Sequence, residues 1–133
     1  MAELFIRALL GHLIGDYLLQ PKNMAVGKSV SSWKGTGKCT LHALIYTAAV
    51  CLMLWTSSPA VWTLVLVPHW AIDRWSLATG WLRLIKGRTL ETAYSSRDMF
   101  REFDIAFTAL VYAVVDNTFH LLCLWLVIKF FLV

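Results

Sequence analysis

Three pairs of side chains hold most of the chemistry this sequence offers. His69 and Asp73 stand four residues apart inside an apolar stretch, His12 and Asp16 repeat the spacing near the N-terminus, and Asp116 and His120 carry it in reverse near the C-terminus. His42 is the remaining histidine. Residues four apart project from one helix face, so each pair can offer nitrogen and oxygen donors to a single point. A carboxylate buried in a bilayer-spanning helix costs roughly 2.5 to 3.5 kcal/mol on insertion scales, and three of them demand compensation. Arg74 is the only base near them in sequence, and its position next to Asp73 turns it to another face. A divalent cation compensates more fully, because imidazole nitrogen and carboxylate oxygen are ligands of zinc and also of manganese and iron. The candidate ligands are His12, Asp16, His42, His69, Asp73, Asp116 and His120. Seven donors exceed one tetrahedral zinc, so the sequence predicts two ions, zinc first, about 3.5 to 4 Å apart.

The elements that must position these groups are membrane helices. Of the 133 residues, 59% are hydrophobic and only 15% charged, outside the soluble balance. No Asp, Glu, Lys or Arg falls between Cys39 and Ile72, too long a run for one crossing of about 20 residues, and Thr56-Ser57-Ser58-Pro59 divides it into a hairpin. The expected fold is all-α and polytopic: one transmembrane domain over 1–133, with four helices near 3–20, 39–55, 59–78 and 103–131 around an intramembrane polar metal site. Glu3 and the absence of a small-residue cleavage site argue for a retained N-terminal segment. Gly11 and Gly15 form a small-x-x-x-small pattern that lets a second helix approach the His12/Asp16 face. Pro68 loosens the third helix just before His69 and aims the pair inward.

Charge sets the orientation. Nine of the twelve Lys and Arg residues lie in the first and third connections and none in the turn between helices two and three. The positive-inside rule makes the basic connections cytoplasmic and puts both termini on the opposite side of the membrane. Trp33, Trp75 and Trp81 near the basic connections, and Trp55 and Trp62 by the uncharged turn, fit two interfacial belts. The order of donors supports one layer. Where a helix descends toward the cytoplasm His precedes Asp, and in the last, ascending helix Asp116 precedes His120. That helix must protrude for Asp116 to reach the layer. Residues 79 to 102 alternate bases with Trp81, Leu82, Leu84 and Ile85, as an amphipathic surface segment does.

Two metals bridged by a carboxylate polarise a phosphoryl oxygen and acidify bound water. The expected activity is therefore a membrane-embedded, metal-dependent hydrolase of a phosphoester at the cytoplasmic leaflet. Its substrate would be a lipid phosphate, a phospholipid or a nucleotide-like molecule. Asp16, Asp73 and Asp116 are the candidate catalytic carboxylates, one of them as general base. Lys22, Lys28 and Arg74 are placed to hold the anionic group, with Gln20 and Asn117 behind the ligands. A cation or proton transporter and a metal-stapled accessory protein are the alternatives. Gly27-Lys28-Ser29 is no phosphate-binding loop, since Lys22 stands where its first glycine belongs, and no nucleic-acid-binding motif is present. Cys39, Cys51 and Cys123 read as buried thiols. The lipid bilayer is the principal partner, with a second copy of the chain a further one.

The segments His12-Leu-Ile-Gly-Asp16-Tyr-Leu-Leu-Gln20, Lys28, Leu41-His42, His69-Trp-Ala-Ile-Asp73 and Asp116-Asn-Thr-Phe-His120 together resemble the domain-of-unknown-function 3307 family of small bacterial and phage integral membrane proteins. The resemblance implies a shared site and no particular activity. It departs at Asn117, where the family pattern has Gln, and around Arg74 and Ser76, where it has a Lys. A looser similarity, to membrane-bound metal-dependent hydrolases and to all-helical zinc phospholipases and nucleases with H-x-x-x-D pairs, favours phosphoester hydrolysis by analogy.

Overall fold

The computed structural model describes residues 1–133 and is all-helical. The first helix, α1 (Ala2–Leu13), continues without a break into a π-helical turn, Ile14–Leu18, in which Leu19 N–H donates to the Ile14 carbonyl at 3.0 Å. Pro21 ends it and opens a short helix, α2 (Lys22–Gly27). Helix α3 (Trp33–Met53) is started by Ser32, whose hydroxyl accepts from Gly35 N–H at 3.0 Å. It therefore begins six residues before the expected Cys39. The run Trp33–Lys38 is polar in composition, and the helix continues through it.

Helix α4 (Pro59–Arg74) begins on a proline, which is favoured at a first helical position. It stops short of the expected Ala78 because Ser76 adopts a left-handed conformation with φ 47°, turning the chain into α5 (Leu77–Lys86). Gly87, at φ 61°, ends α5, and a reciprocal Thr89/Thr92 capping box starts α6 (Leu90–Ser95). The connection expected as an amphipathic segment thus holds two helices. The last helix, α7 (Arg101–Phe131), is 31 residues long, about 46 Å at 1.5 Å per residue.

Helices α1, α3, α4 and α7 form a four-helix bundle in which α3 lies between α1 and α4, and α7 closes the ring against both. Its core is built from Ala8, Tyr46, Val50, Val65, Leu124 and Ile128 among others. The tightest crossing is between α1 and α3. A Cβ on Gly11 would lie 2.6 Å from Val50 Cα, and one on Gly15 would lie 2.7 Å from the Tyr46 ring. The small-x-x-x-small pattern thus serves the contact its spacing predicts. The short helices gather at one end: α2 packs on α3, and α5 and α6 pack against α7. An ion pair of 2.7 Å joins Arg88 to Asp104, with the guanidinium also over the Phe107 ring.

One helix, α7, is by itself long and apolar enough to cross a membrane, and only 22% of that apolar stretch is buried. The outer faces of the other bundle helices are also apolar, with Ile6, Leu10, Leu41, Leu44, Leu52 and Val67 all exposed. All three cysteines are free thiols, Cys39 and Cys51 buried and Cys123 partly so.

Candidate metal centre

Each bundle helix delivers its polar side chains at the same level. His12 closes α1 and Asp16 sits in the π turn, where the wider winding carries it past the end of the regular helix. His42 lies nine residues into α3, and His69 and Asp73 occupy the final turns of α4. Asp116 and His120 stand near the middle of α7, whose first fifteen residues extend beyond this level into the α5/α6 layer. All four imidazoles and Asp73 are buried.

Asp16, His42 and His69 each bring one donor atom to a common point, the inner position, and Asp73 lies against the two imidazoles. His42 Nε2 lies 3.1 Å from Asp16 Oδ1 and 3.3 Å from Asp73 Oδ2, and His69 Nε2 lies 3.2 Å from Asp73 Oδ2 and 3.8 Å from Asp16 Oδ1. The two Nε2 atoms are 3.1 Å apart. Metal bonds of about 2.0 to 2.1 Å to tetrahedral zinc place neighbouring donors about 3.3 to 3.4 Å from one another. These five separations bracket that value. Asp16 Oδ1 and Asp73 Oδ2 make no hydrogen bond despite the short distances, because the approach angles are wrong for one. Buried acceptors are rarely left so, and a shared cation satisfies them together. The residues fit a divalent metal.

A second, outer set of donors adjoins the first. His120 Nε2, also without a hydrogen-bond partner, lies 3.6 Å from Asp73 Oδ1 and 3.7 Å from Asp116 Oδ2. Asp73 faces both positions, one oxygen to each. The Lys28 ammonium reaches from just beyond α2 to within 2.7 Å of Asp73 Oδ1. Three carboxylates converge here against this single permanent positive charge, an imbalance that favours further cations.

His12 is placed differently from the other three histidines. Its Nε2 donates to Asn117 Oδ1, while Nδ1 faces Tyr46 Oη at 3.1 Å and Asp16 Oδ2 at 3.2 Å. Both nitrogens are engaged, so His12 braces Asp16 and Asn117 from outside the inner donors. Asn117 Nδ2 in turn donates to Tyr17 Oη and to the Ala113 carbonyl. Of the three candidate anion-holding bases, Lys28 alone enters the centre. Arg74 donates to the Ser29 carbonyl at 3.1 Å and ties down the α2–α3 link, while Lys22 stays exposed at the start of α2. Gln20 lies at the edge of a cavity of about 210 Å³ lined also by Asp16, Tyr17, Ala25, Lys28, Tyr112, Ala113 and Asp116, which opens the centre toward the surface.

Tyr46 is the functional side chain that the His/Asp pattern passes over. Its ring stacks on His69 with centroids 3.5 Å apart and planes 18° apart. The Nδ1 atoms of His42 and His69 have no partner, so packing against Tyr46 rather than a hydrogen bond orients His69. The signal was available in the spacing, since Tyr46 stands four residues after His42 on the same face of α3.

The geometry describes an all-helical protein with buried His/Asp groups able to hold metal between four helices. Residues 4–133 match the family model described as protein of unknown function (DUF3307), and the chain belongs to that family. No curated protein and no solved structure matches it.

Proposed function

We propose that the chain is a multi-pass protein of the bacterial cytoplasmic membrane that hydrolyses a phosphoester with a divalent-metal centre. The observation carrying this reading is the second donor group, His69, Asp73 and His120, with Asp116 Oδ2 3.7 Å from His120 Nε2 and lining a polar cavity. Three protein donors with an open side make a catalytic arrangement, whereas four donors make a closed, structural one. Metal bound at the two positions, zinc or else manganese or iron, would polarise a phosphoryl oxygen and acidify water there. Hydrolysis forms a phosphorus–oxygen bond to water and breaks the ester bond. A carboxylate takes the proton from water, and the departing alcohol receives one. Asp116 lines the cavity and belongs only to the outer set, so it is the carboxylate best placed to move that proton. Asp16 and Asp73 anchor the centre, and Tyr46 and His12 keep the ligands aligned.

The apolar exterior of all four bundle helices supports spanning by the whole bundle. The basic connections gather at the end carrying the site, which supports a cytoplasmic-side centre under the positive-inside rule. A second reading rests on the inner position. Its Asp16, His42 and His69 donors, with Asp73 against the two imidazoles, suit a metal that only staples the helices, in which case one ion binds and nothing is turned over. Elemental analysis of the detergent-purified protein, with phosphatase and phosphodiesterase assays under added zinc, manganese or magnesium, separates the two. Two equivalents with turnover support the hydrolase. One equivalent without turnover leaves the staple, and no metal in the protein as isolated or after loading removes both.

A further inference from the structure

The cavity beside the outer donors has a size and lining that select among phosphoesters. Its volume of about 210 Å³ corresponds to about seven waters at roughly 30 Å³ each. Pockets that enclose a drug-sized ligand run from roughly 300 to 1,000 Å³. A phosphoryl group and the first atoms of its ester fit, and a base with its ribose does not.

The wall of this cavity is two-sided. Asp16 and Asp116 stand on the metal side. Lys28 brings an ammonium, and Gln20 brings an amide Nε2 that is buried without a hydrogen-bond partner. Tyr17 Oη accepts from Asn117, which leaves the phenol proton free to donate. Two carboxylates would repel an anion by themselves, but a metal ion between them reverses the sign of the site. The Lys28 side chain then loses its attraction to Asp73 and, on a flexible four-carbon stem, is released toward the cavity it already lines.

We infer that this cavity binds the phosphoryl group of a phosphomonoester with a slender ester chain, held by Lys28, Gln20 and Tyr17 opposite the metal. The inference rests on the hydrolase reading for turnover but not for binding. Its test therefore has two arms.

In the first arm, protein loaded with manganese is titrated with inorganic phosphate, and broadening of the phosphorus resonance reports binding next to the ion. Wild type broadens the signal, and Lys28→Ala weakens binding tenfold or more at unchanged manganese content. Ala25→Trp, which fills the cavity from α2 and touches no ligand, has the same effect. In the second arm, a long-chain lipid phosphate in detergent micelles, a short soluble alkyl phosphate and a nucleoside triphosphate are assayed for phosphate release. Turnover of either slender ester at least tenfold more efficiently than the nucleotide, with KM raised in Lys28→Ala, supports the assignment. Phosphate binding without turnover of any ester keeps the subsite and removes the hydrolase. Equal use of the nucleotide, or phosphate binding unaffected by Lys28→Ala and Ala25→Trp, overturns the subsite and leaves the hydrolase standing.

Discussion

Lys28 Nζ lies 2.7 Å from Asp73 Oδ1, so the only flexible cation in the site stands against the carboxylate that both donor sets share. The ammonium would compete with a cation bound beside that oxygen. It makes the metal-free protein tolerable, because a buried carboxylate left alone costs several kcal/mol.

Replacing Lys28 by Met is expected to act in opposite directions on the two states. The metal-free protein loses about 3 to 5 kcal/mol from the unpaired Asp73, whereas metal binds more tightly because a competing positive charge is gone. Thermal unfolding with and without chelator, together with a metal titration, reads both effects. Equal destabilisation of both states would show that the ion pair has no bearing on the metal.

The two donor sets predict different metal counts for two similar substitutions. Asp116→Asn touches only the outer set and leaves about one equivalent bound. Asp73→Asn touches both and leaves little or none. Elemental analysis of purified variants checks this, and activity should fall by about 10² to 10⁴ for Asp116→Asn if that carboxylate moves the proton. Two ions retained in Asp73→Asn would dissolve the shared-carboxylate geometry.

Tyr46 has separable contributions. Tyr46→Phe keeps the stack on His69 and loses the contact with His12, at about 1 kcal/mol. Tyr46→Ala removes the stack as well and opens a void in the core, at about 3 to 5 kcal/mol. Metal affinity should follow the stack, so that Phe binds metal nearly as wild type and Ala binds it weakly. Similar metal affinities for the two variants would deny the ring its orienting role.

Glycines test the helix crossing. Gly11→Ala drives a methyl against Val50 backbone and should cost about 1 to 3 kcal/mol. Gly37→Ala meets nothing within 4 Å in helix α3 and should be neutral or slightly stabilising. Melting of the two variants in one detergent makes the comparison, and a neutral Gly11→Ala would mean that α1 and α3 are free to separate.

The sequence exposed the constellation because hydrophobic surroundings make each His and Asp conspicuous, and because a spacing of four fixes the face. The gathering of His42, His69, Asp73, Asp16 and His120 could be reasoned from these two facts. The difference between inner donors and bracing groups could not. Whether His12 turns toward the centre or toward Asn117 depends on a rotation within α1, and the π turn that controls it has no composition of its own. Helix ends were misplaced where polarity stood in for geometry. Lys34 and Lys38 suggested a loop, yet the Ser32 cap carries α3 through them. Ser76 ends α4 by its backbone conformation, within a stretch that remains apolar on either side.

The π turn at Ile14–Leu18 makes this stretch unequal toward two kinds of genetic change. Substitution at Leu18 or Leu19, both exposed, alters only the surface. Deletion of a single residue between His12 and Asp16 closes the wide turn to ordinary winding and moves the carboxylate off its place beside His42, because the wider winding is what carries it there. A library of one-codon deletions between His12 and Asp16 should therefore lose metal binding even where every donor is kept.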